Sequence, residues 1–334
     1  MTSFARASLC ASLVLVGACG GETSAWPTPF EVQVPEVLDA KVVSPERNPL
    51  TVEGVALGRA LFEDVRLSAS GTHACVSCHR PEFAFTDGRA RSLGESGRPT
   101  LRHAPSLINV AFAPSLFWDG GGNDLESQAF APLANPNELG VSNAVLLARL
   151  DADETLREGF RRAFADGVTL ANVGRALAQY ERTLVQASSR YDRFVGHQLG
   201  GELSELELRG FSRFEVFCQG CHAEPFFTDF AFHNNGLDAV FSDADERVAW
   251  GRARITNRGD DLGKFKTPSL RNVARTAPYM HDGRFATLRD AVMHYRVGVK
   301  ASPTLDARLP TEGFSLTEAD VEALVAFLAT LSDD

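Results

Sequence analysis

Two five-residue runs carry the chemistry this sequence can do: Cys75-Val76-Ser77-Cys78-His79 and Cys218-Gln219-Gly220-Cys221-His222. In a C-x-x-C-H run both sulfurs can reach the two vinyl groups of one porphyrin. The adjacent histidine then lies beneath the ring as the proximal iron ligand, so the run is an attachment site for a c-type haem. The competing readings are a zinc site and a redox dithiol. Zinc sites of this kind bring two C-x-x-C pairs within about 15–20 residues, whereas these begin at residues 75 and 218. A dithiol does not call for a following histidine, and here one follows twice. The expected cofactors are two covalent haems, one on Cys75, Cys78 and His79, the other on Cys218, Cys221 and His222.

The chain that positions these runs repeats itself. Gly58-Arg59-Ala60-Leu61-Phe62 precedes the first run as Gly210-Phe211-Ser212-Arg213-Phe214 precedes the second. Phe85-Thr86-Asp87 after one run matches Phe227-Thr228-Asp229 after the other. Further on, A-P-S-L-I-N-V-A from Ala104 matches T-P-S-L-R-N-V-A from Thr267, a displacement of 163 residues (104 to 267). The same displacement pairs Asp119-Gly120 with Asp282-Gly283 and Leu125 with Leu288. The local signals are helical. Ser204-x-x-Glu207, Thr287-x-x-Asp290 and Ser315-x-x-Glu318 open helices as capping boxes, and Val321, Leu324, Val325 and Leu328 form one apolar stripe. The expected fold is all-α, two tandem cytochrome c-like domains over 45–196 and 197–334, divided near Gly196–Ser204.

The chain of 334 residues, 44% hydrophobic and 23% charged, has the composition of a globular protein long enough for two domains. A net charge of −10 speaks against nucleic acid as a partner and leaves a basic or neutral redox partner open. At the N-terminus, Arg6 and the short apolar run Leu9 to Val16 read as a signal peptide over 1–18. Val16-Gly17-Ala18-Cys19 resembles the lipobox of bacterial lipoproteins, with ordinary cleavage nearby as the alternative. Gly20 and Gly21 lack the aspartate that marks inner-membrane retention, so the expected location is the periplasm, on an outer-membrane lipid anchor and with no other membrane contact. Residues 19–44, rich in Pro, Thr and Val, read as a lipidated tether. Cys10 then leaves with the signal, Cys19 takes the lipid and four cysteines hold two haems.

The two haem units are not equivalent. Leu288, Ala291, Val292 and Tyr295 share one helical face, while Met293 and His294 turn away from it, so Tyr295 is the best-placed second ligand for the haem on His222. A packed core tyrosine is the other reading. Displaced back by the repeat, Tyr295 becomes Pro132, which has no side-chain donor. The haem on His79 is thus expected to have an open distal side. A haem that binds peroxide needs such an opening, and one that only carries electrons does not.

At these residues the chain resembles the bacterial di-haem cytochrome c peroxidases, and more closely their MauG branch, from about Pro45 to the C-terminus. Besides the two haem runs, the resemblance rests on Phe117-Trp118-Asp119-Gly120, on Gln128 to Glu138 and on Tyr279-Met280-His281-Asp282-Gly283. It implies that Trp118 lies between the haems and relays electrons, where spacing alone would equally allow a structural tryptophan. It implies that Gln128, Pro132 and Glu138 form the distal pocket of the peroxidatic haem, with Glu138 moving protons between the peroxide oxygens. Without it, Glu138 would read as a carboxylate on a surface turn.

Three departures stand out. Tyr295 occupies the place of the methionine that other family members carry on the electron-accepting haem, which favours high iron oxidation states. Gly94-Glu95-Ser96-Gly97 lacks the detachable distal histidine found in many peroxidases. His103 stands where the family has an asparagine ligand for an inter-domain calcium, beside carbonyls matching Thr276 and Pro278. Calcium prefers oxygen, so His103 counts against the ion. The leading expectation is a peroxidase that reduces hydrogen peroxide to water with electrons from a small periplasmic donor. The alternatives are a MauG-like enzyme oxidising aromatic side chains of a protein substrate, and a non-enzymatic di-haem electron carrier.

Overall fold

The computed structural model describes residues 27–242 and 248–333. The signal peptide, Cys10 and the expected lipidation at Cys19 lie outside the described residues. The fold is mostly helical, with principal helices Val52–Phe62, Asn143–Ala152, Glu154–Ala163, Leu170–Glu181, Glu205–Phe217 and Glu318–Ala329. The all-α reading missed one short antiparallel ribbon, in which Phe232 pairs with Lys266 and His233 with Phe265. Two residues per strand are too few to leave an alternating pattern in the sequence.

Two hydrophobic cores carry the two haem runs. In the first, Val52–Phe62 packs on Leu170–Glu181, with Leu61, Phe62, Val173 and Leu177 buried between them. In the second, Glu205–Phe217 packs on Glu318–Ala329 around Phe214, Leu324 and Phe327. The repeated glycine explains the repeated packing. A Cβ on Gly58 would lie 1.9 Å from the Ala176 carbonyl oxygen, and one on Gly210 would lie 1.9 Å from that of Ala323. Each unit thus brings its two main helices into backbone contact at the same point, and only glycine permits it.

The second helix pair is tied by charge as well. Its C-terminal helix starts at Thr317, which forms a reciprocal capping box with Asp320. The expected box at Ser315 and Glu318 does not form. The later start lets Asp320 accept from Arg209 and Arg213 of the facing helix, both at 2.9 Å, and frees Glu318 for Arg289 and Arg296. The boxes at Ser204 and Thr287 form as expected.

The structured chain begins before Pro45. Thr28 donates its backbone N–H to Glu53 at 2.8 Å, Pro29 bridges to Thr51, and Leu38 is fully buried. Residues 28–30 are thus fastened to the start of the first unit, and Leu38 is buried from a single short turn, Glu36–Leu38, that leaves no helical periodicity in the sequence. The second core also reaches back beyond the expected division at Gly196–Ser204. Tyr191, on the helix Arg190–Val195, is buried in it, and Ser188 donates its hydroxyl to Asp333 at 3.0 Å.

Candidate active site

One continuous cavity of about 810 Å³ is lined by both C-x-x-C-H runs. Its walls are the apolar faces of the two cores, so burial raises all four thiols, Cys75 and Cys218 to about 12 and Cys78 and Cys221 to about 11. Such thiols are poor redox nucleophiles, since the thiolate is the reactive form. The apolar cavity and the free cysteines on its wall fit two porphyrins.

The histidines are held the same way in both units. His79 bonds through Nδ1 to the Phe85 carbonyl at 2.9 Å, and His222 through Nδ1 to the Phe227 carbonyl at 3.1 Å. This leaves Nε2 as the nitrogen for iron and fixes the ring, the usual outer support of a metal-bound histidine. Phe85 and Phe227 reach that position with φ of 61° and 54°, a left-handed conformation uncommon for bulky residues. Their side chains are pinned in the cores: Phe85 packs on Phe62 with centroids 6.3 Å apart and Phe227 on Phe214 at 5.6 Å. The repeated Phe of the helix, the repeated Phe-Thr after the haem run and the histidine are one chain of contacts.

Around the first run the cavity is lined by Gln128, Pro132, Leu133, Asn135 and Glu138. Glu138 is not on the surface. Its Oε1 accepts from Asn135 Nδ2 at 2.8 Å, and burial raises its pKa above the ordinary carboxylate value although that bond opposes the shift. Glu181, absent from the sequence expectations, lines the same half. Burial pushes its pKa up to about 8, because Arg182 is forked onto Glu126 at 2.8 and 2.9 Å instead.

Around the second run, Leu288, Ala291, Val292 and Tyr295 all line the cavity, as their spacing implied. The helix Leu288–Met293 does not continue regularly; it passes into a π turn over His294–Gly298. His294 is buried, with Nε2 on the Asn235 carbonyl at 2.8 Å, and with Met293 it lines a separate small pocket. Neither reaches the haem cavity. Tyr295 does, and burial pushes its phenol up to about 12. A rival the sequence did not offer is Met280: Asn235 Nδ2 donates to Met280 Sδ at 3.5 Å and to the Tyr295 hydroxyl at 3.3 Å. Met280 sits there because its φ of 74° turns it inward, a signal the sequence carried only as the repeat partner of Phe117, whose φ is 62°.

Trp118 lines the cavity and joins the units. Its indole N–H donates to the His103 carbonyl at 2.9 Å, and its carbonyl accepts from the Lys266 N–H at 2.8 Å. The Lys266 ammonium donates to the Ser115 carbonyl at 2.6 Å, and desolvation still lowers its pKa to about 8. Next to Trp118, Asp119 is buried under Arg102 at 2.7 Å and Arg254 at 3.2 Å. His103 does not suit calcium. Its ring lies among the carbonyls expected of that site, with Nδ1 on Arg89 O at 2.7 Å, and it supplies nitrogen where the ion prefers oxygen.

Residues 52–199 match the family described as di-haem cytochrome c peroxidase. The chain is 36% identical to the methylamine utilization protein MauG of Methylorubrum extorquens over 87% of this chain and 81% of that one. It is 33% identical to the cytochrome c551 peroxidase of Nitrosomonas europaea, over 88% and 83%. Among solved structures, a MauG-like protein associated with microbial copper homeostasis superposes with a TM-score of 0.82 at 33% identity, covering 91% of this chain and 96% of the other. The di-haem peroxidase BthA of Burkholderia thailandensis gives 0.73 at 26%, over 92% and 91%. A doubled haem site in one cavity, in a chain alike to both peroxidases and MauG over most of its length, belongs to the di-haem cytochrome c peroxidase family, and the protein is a haem-dependent peroxidase of that family.

Proposed function

We propose that the protein is a periplasmic peroxidase that reduces hydrogen peroxide to water, with the haem on His79 as the reacting centre and the haem on His222 passing electrons to it through Trp118. The observation that carries this reading is the asymmetry of the one cavity: Pro132 and a buried Glu138 line its first half, Tyr295 and Met280 its second. Bound haem iron supplies the electrons and the point at which the O–O bond breaks. The reaction takes one peroxide, two electrons and two protons to two waters. Glu138 would accept a proton from one peroxide oxygen at its carboxylate and return it to the other, so that the leaving group is water and not hydroxide. Burial raises its pKa, which makes it a stronger base for that proton than an ordinary carboxylate, and Asn135 holds it in place at 2.8 Å. Gln128 orients peroxide from the same wall. Cys75 and Cys78, and Cys218 and Cys221, anchor the two rings.

A second reading is favoured by the phenol of Tyr295 in the second half and by the likeness to MauG: the same oxidising equivalents are drawn from an aromatic side chain of a protein substrate. Stopped-flow addition of peroxide to the oxidised holoprotein separates the two. On the first reading, a reduced cytochrome quenches the oxidised species and is itself oxidised, two per peroxide. Persistence of that species with every small donor, and its decay with a partner protein, would move the assignment to the second. A mass increment of two porphyrins over the mature chain is required by either.

A further inference from the structure

The calcium implied by the family resemblance and the residues present here disagree, and the disagreement has a structural content. We infer that the side chain of His103 takes the place of an inter-domain calcium ion, bracing the two units without metal.

His103 is 5% exposed and bonds in every direction available to it. Its backbone N–H donates to the His281 carbonyl at 2.9 Å, and its carbonyl accepts from Trp118 Nε1 at 2.9 Å. Its ring bonds through Nδ1 to the Arg89 carbonyl at 2.7 Å, and the Thr276 carbonyl lies beside the same ring. Arg89 and Trp118 lie in the first unit, Thr276 and His281 in the second, so a single residue spans the seam. A carbonyl oxygen buried at this seam needs a donor or a cation. A metal ion is one such partner, and the single N–H of a neutral imidazole, here toward Arg89, is another.

The two solutions exclude each other. Calcium takes six to eight oxygens at about 2.3–2.6 Å, and at this position the chain offers an imidazole already bonded to the Arg89 carbonyl in place of an amide oxygen. Burial lowers the pKa of the ring against the pull of Asp87, so the imidazole stands there neutral, as a hydrogen-bonding group.

The test uses the purified di-haem holoprotein and readouts independent of peroxide. Metal analysis of the wild type should find far less than one calcium per chain. Dialysis against EGTA, or addition of calcium chloride, should leave its haem spectrum and melting temperature unchanged. His103→Asn, which restores the family's oxygen donor, should melt roughly 5 °C lower in EGTA, with recovery on added calcium showing the ring and the ion to be interchangeable. About one calcium per wild-type chain whose removal by EGTA shifts the spectrum would overturn the inference. So would a His103→Asn protein as stable in EGTA as the wild type. If that variant does not mature, the metal content and EGTA response of the wild type decide alone.

Discussion

Trp118 and His103 are joined by a 2.9 Å hydrogen bond from the indole N–H to the backbone carbonyl. On its other side Trp118 accepts at 2.8 Å from the N–H of Lys266, the residue that holds in the second repeat the place His103 holds in the first. The tryptophan is thus clamped between equivalent positions of the two units. A carbonyl cannot take the indole proton, so an electron leaving this ring leaves the proton behind.

Trp118→Phe should preserve both haem spectra, since ring volume is nearly kept and the His103 carbonyl loses only one donor. Electron transfer from the second haem to the first should slow by about tenfold or more, the equivalent of ~1.4 kcal/mol on the barrier. Mixing the half-reduced protein with peroxide and following each haem separately reads this directly. An unchanged rate would leave Trp118 a structural residue.

Glu138→Gln should slow the reaction with peroxide by about a hundredfold or more, the scale of acid–base groups, with both haem spectra intact. The pH profile provides a second check. Burial raises the Glu138 pKa above that of an ordinary carboxylate, and the base form does the work. The wild-type rate should therefore rise with pH through a pKa above that value, and the Gln variant should lack this limb.

Tyr295→Phe should alter the low-spin signal of the second haem and raise its reduction potential on the order of 100 mV, because an anionic oxygen ligand would be lost. Met293→Leu and His294→Gln should do neither, as both side chains lie outside the haem cavity. The decisive control is Met280→Leu, since Met280 Sδ and the Tyr295 hydroxyl share the amide of Asn235. If Met280→Leu removes the low-spin signal and Tyr295→Phe does not, the ligand is the thioether.

Glu181→Gln should stabilise the holoprotein in a pH-dependent way. A carboxyl with a pKa of about 8 in the fold against 4.5 in the open chain binds more protons when folded, so its contribution to stability falls as pH rises through that window. The advantage of the variant should be slight near pH 5 and largest near pH 8, growing by at most about 1.4 kcal/mol per pH unit. Melting temperatures at those two pH values check the sign. An equal difference at both would place the effect in packing instead of charge.

Much of this was legible in the sequence because it is local or repeated. C-x-x-C-H sets two sulfurs and an imidazole within a single turn of chain, so the haem runs need no tertiary knowledge. The spacing of Leu288, Ala291, Val292 and Tyr295 puts Tyr295 on the cavity side even though the helix ends in a π turn, because the preceding turn already fixes the direction. The repeat exposed the glycines at 58 and 210 without saying that each meets an alanine carbonyl of a distant helix. What only the tertiary structure decided involves groups distant in sequence or turned by unusual backbone. Met280 enters the second site through a positive φ that no pattern encodes. Glu181 is a candidate because Arg182, its neighbour, is engaged by Glu126 from another helix. Residues 27–44 look like a tether, yet Thr28 is bonded to Glu53 and Leu38 is buried from the single turn Glu36–Leu38, too short to leave a periodic pattern. His103 read in the sequence as counting against a calcium ion; only the fold shows its ring bonded to the Arg89 carbonyl and its carbonyl to the Trp118 indole.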